Sequence, residues 1–359
     1  MKNYPVLSQK NPYLKLYDHG QIFHVLEEIL PGYTQRETSQ TEKSLLALAQ
    51  KLAEKSPYRL LRGTHQQHWA TIEGFLTKSF PHFEAVIEII RDAWHLAYHS
   101  QTSLQIPPLL LLGDPGLGKT YFAASLARLL GTEYRYIPLS TTSAGFVLSG
   151  MNMTWSDAKP GILFTHLLQG EQGNPLMLLD EIDKASSGHT HDALAPLYGL
   201  LERHTAREFK DEYFPIPFNT AQVQWMATAN TLDYIPEPIQ SRMQVITIRH
   251  PTLDERVGIT RMIYDQILND QPWGEIFDPI LDRGLHQAIA ETCKTPREIR
   301  KTLERICGST ATAYKEDGLE NDPFQELRPT LKNLPVTRKP EKIFGFRTPE
   351  VSGERRIQR

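Results

Sequence analysis

Eight consecutive residues constrain the fold of this chain more than any other feature. Gly113-Asp114-Pro115-Gly116-Leu117-Gly118-Lys119-Thr120 fits the pattern G-x-x-x-x-G-K-[ST]. The apolar run Leu109–Leu112 before it has the length of a buried parallel strand, and residues 121–130 after it have the periodicity of a helix. A glycine-rich turn between strand and helix lets backbone N–H groups wrap a phosphate at the positive end of the helix dipole. Lys119 then reaches the β- and γ-phosphates, and the Thr120 hydroxyl ligates Mg²⁺. Gly113, Pro115, Gly116, Leu117, Gly118, Lys119, Thr120 and Tyr121 are the expected nucleotide-binding residues, and the pattern implies a nucleoside triphosphate.

With 359 residues the chain has room for two domains and tails, and its 40% hydrophobic and 23% charged content is that of a soluble globular protein. Cys293 and Cys307 are too few for a disulfide scaffold and read as buried free thiols in a reducing compartment. No apolar stretch reaches the length of a membrane span, and the first residues lack the apolar region of a secretory signal. A cytoplasmic protein without a membrane partner is expected. The formal net charge of −3 hides an asymmetry: from Arg328 onward there are nine Lys or Arg against three Glu, which leaves 30 basic and 39 acidic residues before it. A basic tail on an acidic body either meets something negative, nucleic acid or an acidic protein surface, or is a solvated tail with no partner.

Strand candidates follow the phosphate loop at residues 134–139, 176–179, 223–228 and 244–248, alternating with helices as in a parallel α/β sheet. Residues 252–313 are helical throughout. The expected organisation is a helical N-terminal region (1–77), a large α/β nucleotide-binding domain (78–250), a small helical domain (251–315) and an extended basic tail (316–359). Within the first region, 1–40 show no sustained periodicity and 41–61 read as one amphipathic helix; a second helix is expected over 83–98.

In open α/β sheets ligands bind at the carboxyl ends of strands. The strand candidate 176–179 runs directly into Asp180 and Glu181. Asp180 is placed to hold the Mg²⁺ shell, largely through water. Glu181 would orient and deprotonate the attacking water. The strand after it ends in Asn230, whose amide can bond both the γ-phosphate and that water.

These segments, with Ala227-Thr228-Ala229-Asn230-Thr231-Leu232 and Ile239-Gln240-Ser241-Arg242-Met243-Gln244-Val245-Ile246, resemble the ATPase module of Lon proteases within the AAA+ superfamily, over residues 80–310. The resemblance implies an AAA+ P-loop parallel sheet flanked by helices, followed by a small all-α domain. It implies that Arg242 is a finger reaching the nucleotide of an adjacent subunit in a ring of six. It implies that Arg297, in Thr295-Pro296-Arg297, is the sensor arginine of the small domain, with Arg300 as the alternative. Phe80 and His82 lie where the family contacts adenine, although the family's Gly-Leu is replaced here. Aligned through Pro160-Gly161, Trp155 and its neighbour Ser156 take the place of the pore-loop pair that grips unfolded polypeptide; a Trp with a purely structural role is the alternative.

His189 and His191, and His65 with His68, have metal-ligand spacing but no matching cluster in the sequence, so they read as polar loop residues. Nothing after Ala313 is long enough for the Ser–Lys protease domain of Lon, so ATP hydrolysis is expected and peptide hydrolysis is not. The segment Lys342-Ile343-Phe344-Gly345-Phe346-Arg347 either docks on a partner effector or contributes nothing. The sequence thus predicts an ATP- and Mg²⁺-dependent ring that remodels or threads a protein. Its alternatives are a nucleic-acid-associated ATPase working through the basic tail, and a nucleotide-controlled scaffold.

Overall fold

The computed structural model describes residues 12–33, 40–64, 68–141, 146–152, 155, 158–185, 193–214, 216–316 and 327–334. The chain starts with β1 (Tyr13–Lys15), α1 (His19–Tyr33), α2 (Gln40–Glu54) and β2 (Tyr58–Leu60), then α3 (Trp69–Ser79) and α4 (Glu84–Ser100). The alternating part runs β3 (Leu109–Leu112), α5 (Lys119–Leu130), β4 (Tyr134–Pro138), α6 (Phe146–Ser149), α7 (Ile162–Gln169) and β5 (Leu176–Asp180). It continues through α8 (Leu197–Leu200), α9 (Arg203–Ala206), β6 (Phe209–Lys210), β7 (Pro217–Phe218), β8 (Gln224–Ala229), α10 (Glu237–Gln240) and β9 (Gln244–Thr247). Three longer helices close it: α11 (Leu253–Asp270), α12 (Arg283–Thr292) and α13 (Pro296–Glu316).

Five strands form one parallel sheet in the order β4-β5-β8-β3-β9. The near-continuous apolar sequences of β5 and β3, and the small and apolar residues of β8 between them, follow from burial on both faces, whereas the edge strands β4 and β9 are largely exposed. Alternate residues divide between two clusters. Leu110, Met177, Leu179, Trp225 and Ala227 face one, while Leu109, Leu111, Leu176, Leu178 and Met226 face the other with α3, α4 and α5. The small bundle has its own core around Tyr264, Leu285, Ile299 and Leu303. Among the described residues no helix is long and apolar enough to cross a membrane.

Residues 12–61 are not set apart from the sheet. Leu14, Leu16, Ile22, Leu45 and Leu52 belong to the same buried cluster as Met177 and Trp225. The helix expected over 41–61 ends at Glu54 and gives way to β2, because Ser56 precedes Pro57 and is driven out of the helical region. Helix α1 lies where no periodicity was visible. Its Ile22 is fully buried, so a tertiary contact holds what local pattern does not announce.

Residues 327–334, placed in the tail by sequence, lie on the bundle. Leu327 bridges Phe277 and is 7% exposed, Leu334 packs on the bundle core, and Arg328 Nε is 2.9 Å from Asp278 Oδ2. Residues 335–359, and with them the cluster 342–347, lie outside the described residues.

Candidate functional site

The phosphate loop crosses the carboxyl ends of β3 and β8. Gly113 N donates to Ala229 O at 3.1 Å, fastening the start of the loop to the central strand. Gly116 and Gly118 both have φ +91°, a conformation open to glycine at little cost, and Gly118 leads directly into α5. A Cβ on Gly113 would meet Ile248 O at 2.8 Å, so the loop also needs glycine there for close packing against the end of β9.

Lys119 is 7% exposed, and its Nζ donates to Gly113 O, to Asp114 O at 3.1 Å and to Asn230 Oδ1 at 3.2 Å. Burial holds the ammonium below its ordinary pKa, opposed by Asp183, Asp180 and Asp114. A desolvated cation in a ring of carbonyls is a seat for an anion.

Asp180 ends β5 and accepts three hydroxyls. Thr120 Oγ1 and Thr228 Oγ1 each donate to its Oδ1 at 2.7 Å, and Tyr136 OH donates to Oδ2 at 3.0 Å. The donor set of Thr120 and Asp180 is hard oxygen, which suits Mg²⁺ with its remaining places filled by phosphate and water. No group of three His, Cys, Asp or Glu capable of holding a metal occurs among the described residues.

Glu181 follows with φ +55°, a strained left-handed conformation for a residue with a side chain, secured by its N–H donating to Thr228 Oγ1 at 2.9 Å. Its Oε1 accepts from Lys184 Nζ at 2.5 Å. That bond, with a contribution from the Ser140 hydroxyl, holds the carboxyl below its ordinary pKa. Asn230 is aimed by Asp183, whose Oδ2 accepts from Asn230 N at 3.0 Å. Sequence reasoning passed over Asp183; its signal was a carboxylate two positions beyond Glu181.

These side chains border a cavity of about 300 Å³ whose lining also includes Phe80, His82, Pro115, Leu117, Tyr121, Arg297 and Arg300. Its far wall comes from the small bundle through Ile259, Met262, Ile263 and Gln266, none of which a motif marks. Arg297 N donates to Gly116 O at 3.3 Å, so the bundle touches the loop directly, and within the bundle Arg300 Nη2 donates to Gln266 Oε1 at 3.2 Å. Asp114, where a proline is common, lies 2.8 Å from His250 Nε2 and adds a second tie to the segment that enters the bundle.

Phe80 is buried against Phe83, Phe122 and Tyr121. His82 Nε2 lies 2.9 Å from Leu117 O, which can only accept, so Nε2 carries the proton. Burial lowers the imidazole pKa and keeps it neutral. Its Nδ1 is then an acceptor, buried and without a partner among the described residues, in the wall of a cavity sized for a nucleotide.

Two predicted residues stand elsewhere. Arg242 precedes β9, whose Gln244 is in register with Leu109, the first residue of β3. It therefore lies at the amino end of the sheet, one strand length of about 13 Å from the phosphate loop. Its Nη1 donates to Pro238 O at 2.6 Å, and its Nε stands 2.8 Å from Glu202 Oε1 with the N–H not aimed at that oxygen. Trp155 is 59% exposed, away from the cavity. Ser156, His65, His189 and His191 lie outside the described residues, and His68 is an exposed residue preceding α3.

Residues 109–250 match the family described as ATPases associated with various cellular activities (AAA). The chain is 31% identical over 260 residues to a Lon protease of Lachnoclostridium phytofermentans, covering 66% of this chain and 32% of that one. It is 36% identical over 211 residues to a Lon protease of Halothermothrix orenii, covering 58% and 27%. Among solved structures, a closed-state reconstruction of Hsp104 with ATPγS and FITC-casein superposes with a TM-score of 0.59 at 14% identity, over 84% of this chain and 56% of that one. Fold and site define the class: an AAA+ ATPase. Its ATPase module is similar to that of these Lon proteases, and the chain spans about a third or less of their length.

Proposed function

We propose that this chain works as a ring of identical subunits, by analogy six, that couples ATP hydrolysis to the remodelling or threading of a protein. The carrying observation is the separation within one subunit. Lys119, Thr120, Asp180, Glu181 and Asn230 meet at the carboxyl end of the sheet, while Arg242 stands at the amino end, too far away to serve the nucleotide bound there. Lys119 and the loop amides would hold the phosphates, and Thr120 and Asp180 the Mg²⁺. Bound there, the ion would neutralise charge on the phosphate oxygens. Glu181 would take the proton of the attacking water, and Asn230 would orient that water. Arg242 from the adjacent subunit would stabilise charge developing in the transition state, worth about 10³-fold or more. Exposed Trp155 would contact the polypeptide.

Mixing two inactive variants tests the arrangement. Lys119→Met keeps the finger and loses the site; Arg242→Ala keeps the site and loses the finger. Turnover restored on mixing supports action between subunits, and no restoration removes the ring reading. Purifying Glu181→Gln with ATP and identifying what travels with it tests the client. Polypeptide lost on Trp155→Ala supports remodelling, whereas nucleic acid lost on removing residues 335–359 would replace it with the nucleic-acid reading.

A further inference from the structure

Asp211 is a carboxylate that the ATPase chemistry does not use. It is 1% exposed, in the segment between β6 and β7. Its Oδ2 accepts from Gly161 N and its Oδ1 from Tyr213 N, each at 2.9 Å. Burial, with Glu212 adding to it, pushes this carboxyl up to about 7, so the group is kept inside against a real cost.

Its neighbours explain the placement. Gly150 and Gly161 bracket the loop that carries Trp155, and both lie against this carboxylate. Gly150 has φ +81°, and a Cβ there would run into Asp211. A Cβ on Gly161 would meet Gly150 N at 2.6 Å and Asp211 Oδ2 at 2.8 Å. The two ends of the loop are drawn together by Met151 N donating to Lys159 O at 2.9 Å, and the Asp211 segment is stitched to them by Glu212 N donating to Ser149 O at 2.7 Å. Behind it, Asn219 N donates to Leu16 O at 2.7 Å, and Tyr17 packs on Phe218, so the N-terminal segment braces the same hairpin.

We propose that Asp211 is a positioning residue that clamps the neck of the loop 151–160 and so fixes where Trp155 stands. The described ends of the loop, Gly150, Met151, Lys159 and Gly161, are held together at this carboxylate. Both carboxylate oxygens are occupied by backbone donors, so an amide cannot replace the acid: its NH₂ would face an N–H. The value of the clamp rests on the reading that Trp155 contacts polypeptide; the clamp itself does not.

The test is Asp211→Asn in the full chain, with Gly161→Ala as a second variant that crowds the neck and leaves the acid in place. Amide exchange at Gly161 and Met151 is expected to quicken about tenfold or more, as loss of one buried hydrogen bond implies, while exchange in the phosphate loop stays unchanged. The emission assigned to Trp155, by subtracting the spectrum of Trp155→Phe, is expected to shift in both variants. Basal kcat and KM for ATP stay near wild type, and any stimulation of turnover by unfolded polypeptide is lost. Unchanged neck exchange and Trp155 emission in Asp211→Asn overturn the clamp. Loosening with polypeptide stimulation intact supports the clamp and removes the role of Trp155.

Discussion

At the residue scale the site turns on how two adjacent carboxylates are treated differently. Asp180 accepts three hydroxyls and is fixed in place, whereas Glu181 is strained in backbone and tied by Lys184, an exposed and releasable partner. Such an exposed pair adds little stability. Its effect is on basicity: Lys184 holds the Glu181 carboxyl below its ordinary pKa, so the group stays ionised to lower pH. In Lys184→Met the acid limb of kcat against pH should move to higher pH, because the carboxyl then protonates earlier as pH falls. A limb that stays put would show that Glu181 does not set it. Asp180, Glu181 and Lys119 were legible in the sequence because their spacing encodes a strand end. Asp183 and Thr228, which aim Asn230 and hold Glu181, were not, since a second carboxylate or a strand threonine has no pattern until two strands pair.

At the element scale, strands and helices of the alternating part follow local pattern closely. β3, β5 and β8 fall within one or two residues of the expected runs, because a strand buried on both faces is an apolar run, and the exposed edge strand β9 is found where its short Val245-Ile246 pair was read. Helix α11 starts where Thr252 and Glu255 make a reciprocal capping box, at the residue where the helical pattern begins. The N-terminal part was less readable because its elements are held by distant partners. Arg59 is 7% exposed and gives its donors to Leu167 O, Leu168 O, Ser56 O and Tyr58 O, capping the end of α7 with a buried cation. Arg59→Ala should lower unfolding free energy by about 3 kcal/mol, measured by denaturant titration, since several charge-assisted bonds go at once. A change under about 0.5 kcal/mol, the size expected of an uninvolved surface side chain, would show that α7 does not depend on it.

For the whole molecule, the cavity has one wall from the sheet domain and one from the bundle, so a nucleotide bound there would bridge two cores. Adding ADP should slow amide exchange in α11 and at the start of α13, although the phosphate-binding residues lie in the other core. Protection confined to the phosphate loop would show that the bundle wall is not engaged. By itself the sequence determined the sheet, the phosphate loop, the acidic strand end and the helical bundle, all written in spacings of a few residues, where one strand, one turn or one helix face is the whole message. The tertiary structure alone decided that residues 12–61 share the sheet's core, that Leu327 and Leu334 return to the bundle, that Ile259 and Gln266 close the cavity, and that Arg242 faces away from it. Those contacts join residues far apart in the chain, and burial, not any local repeat, selects them.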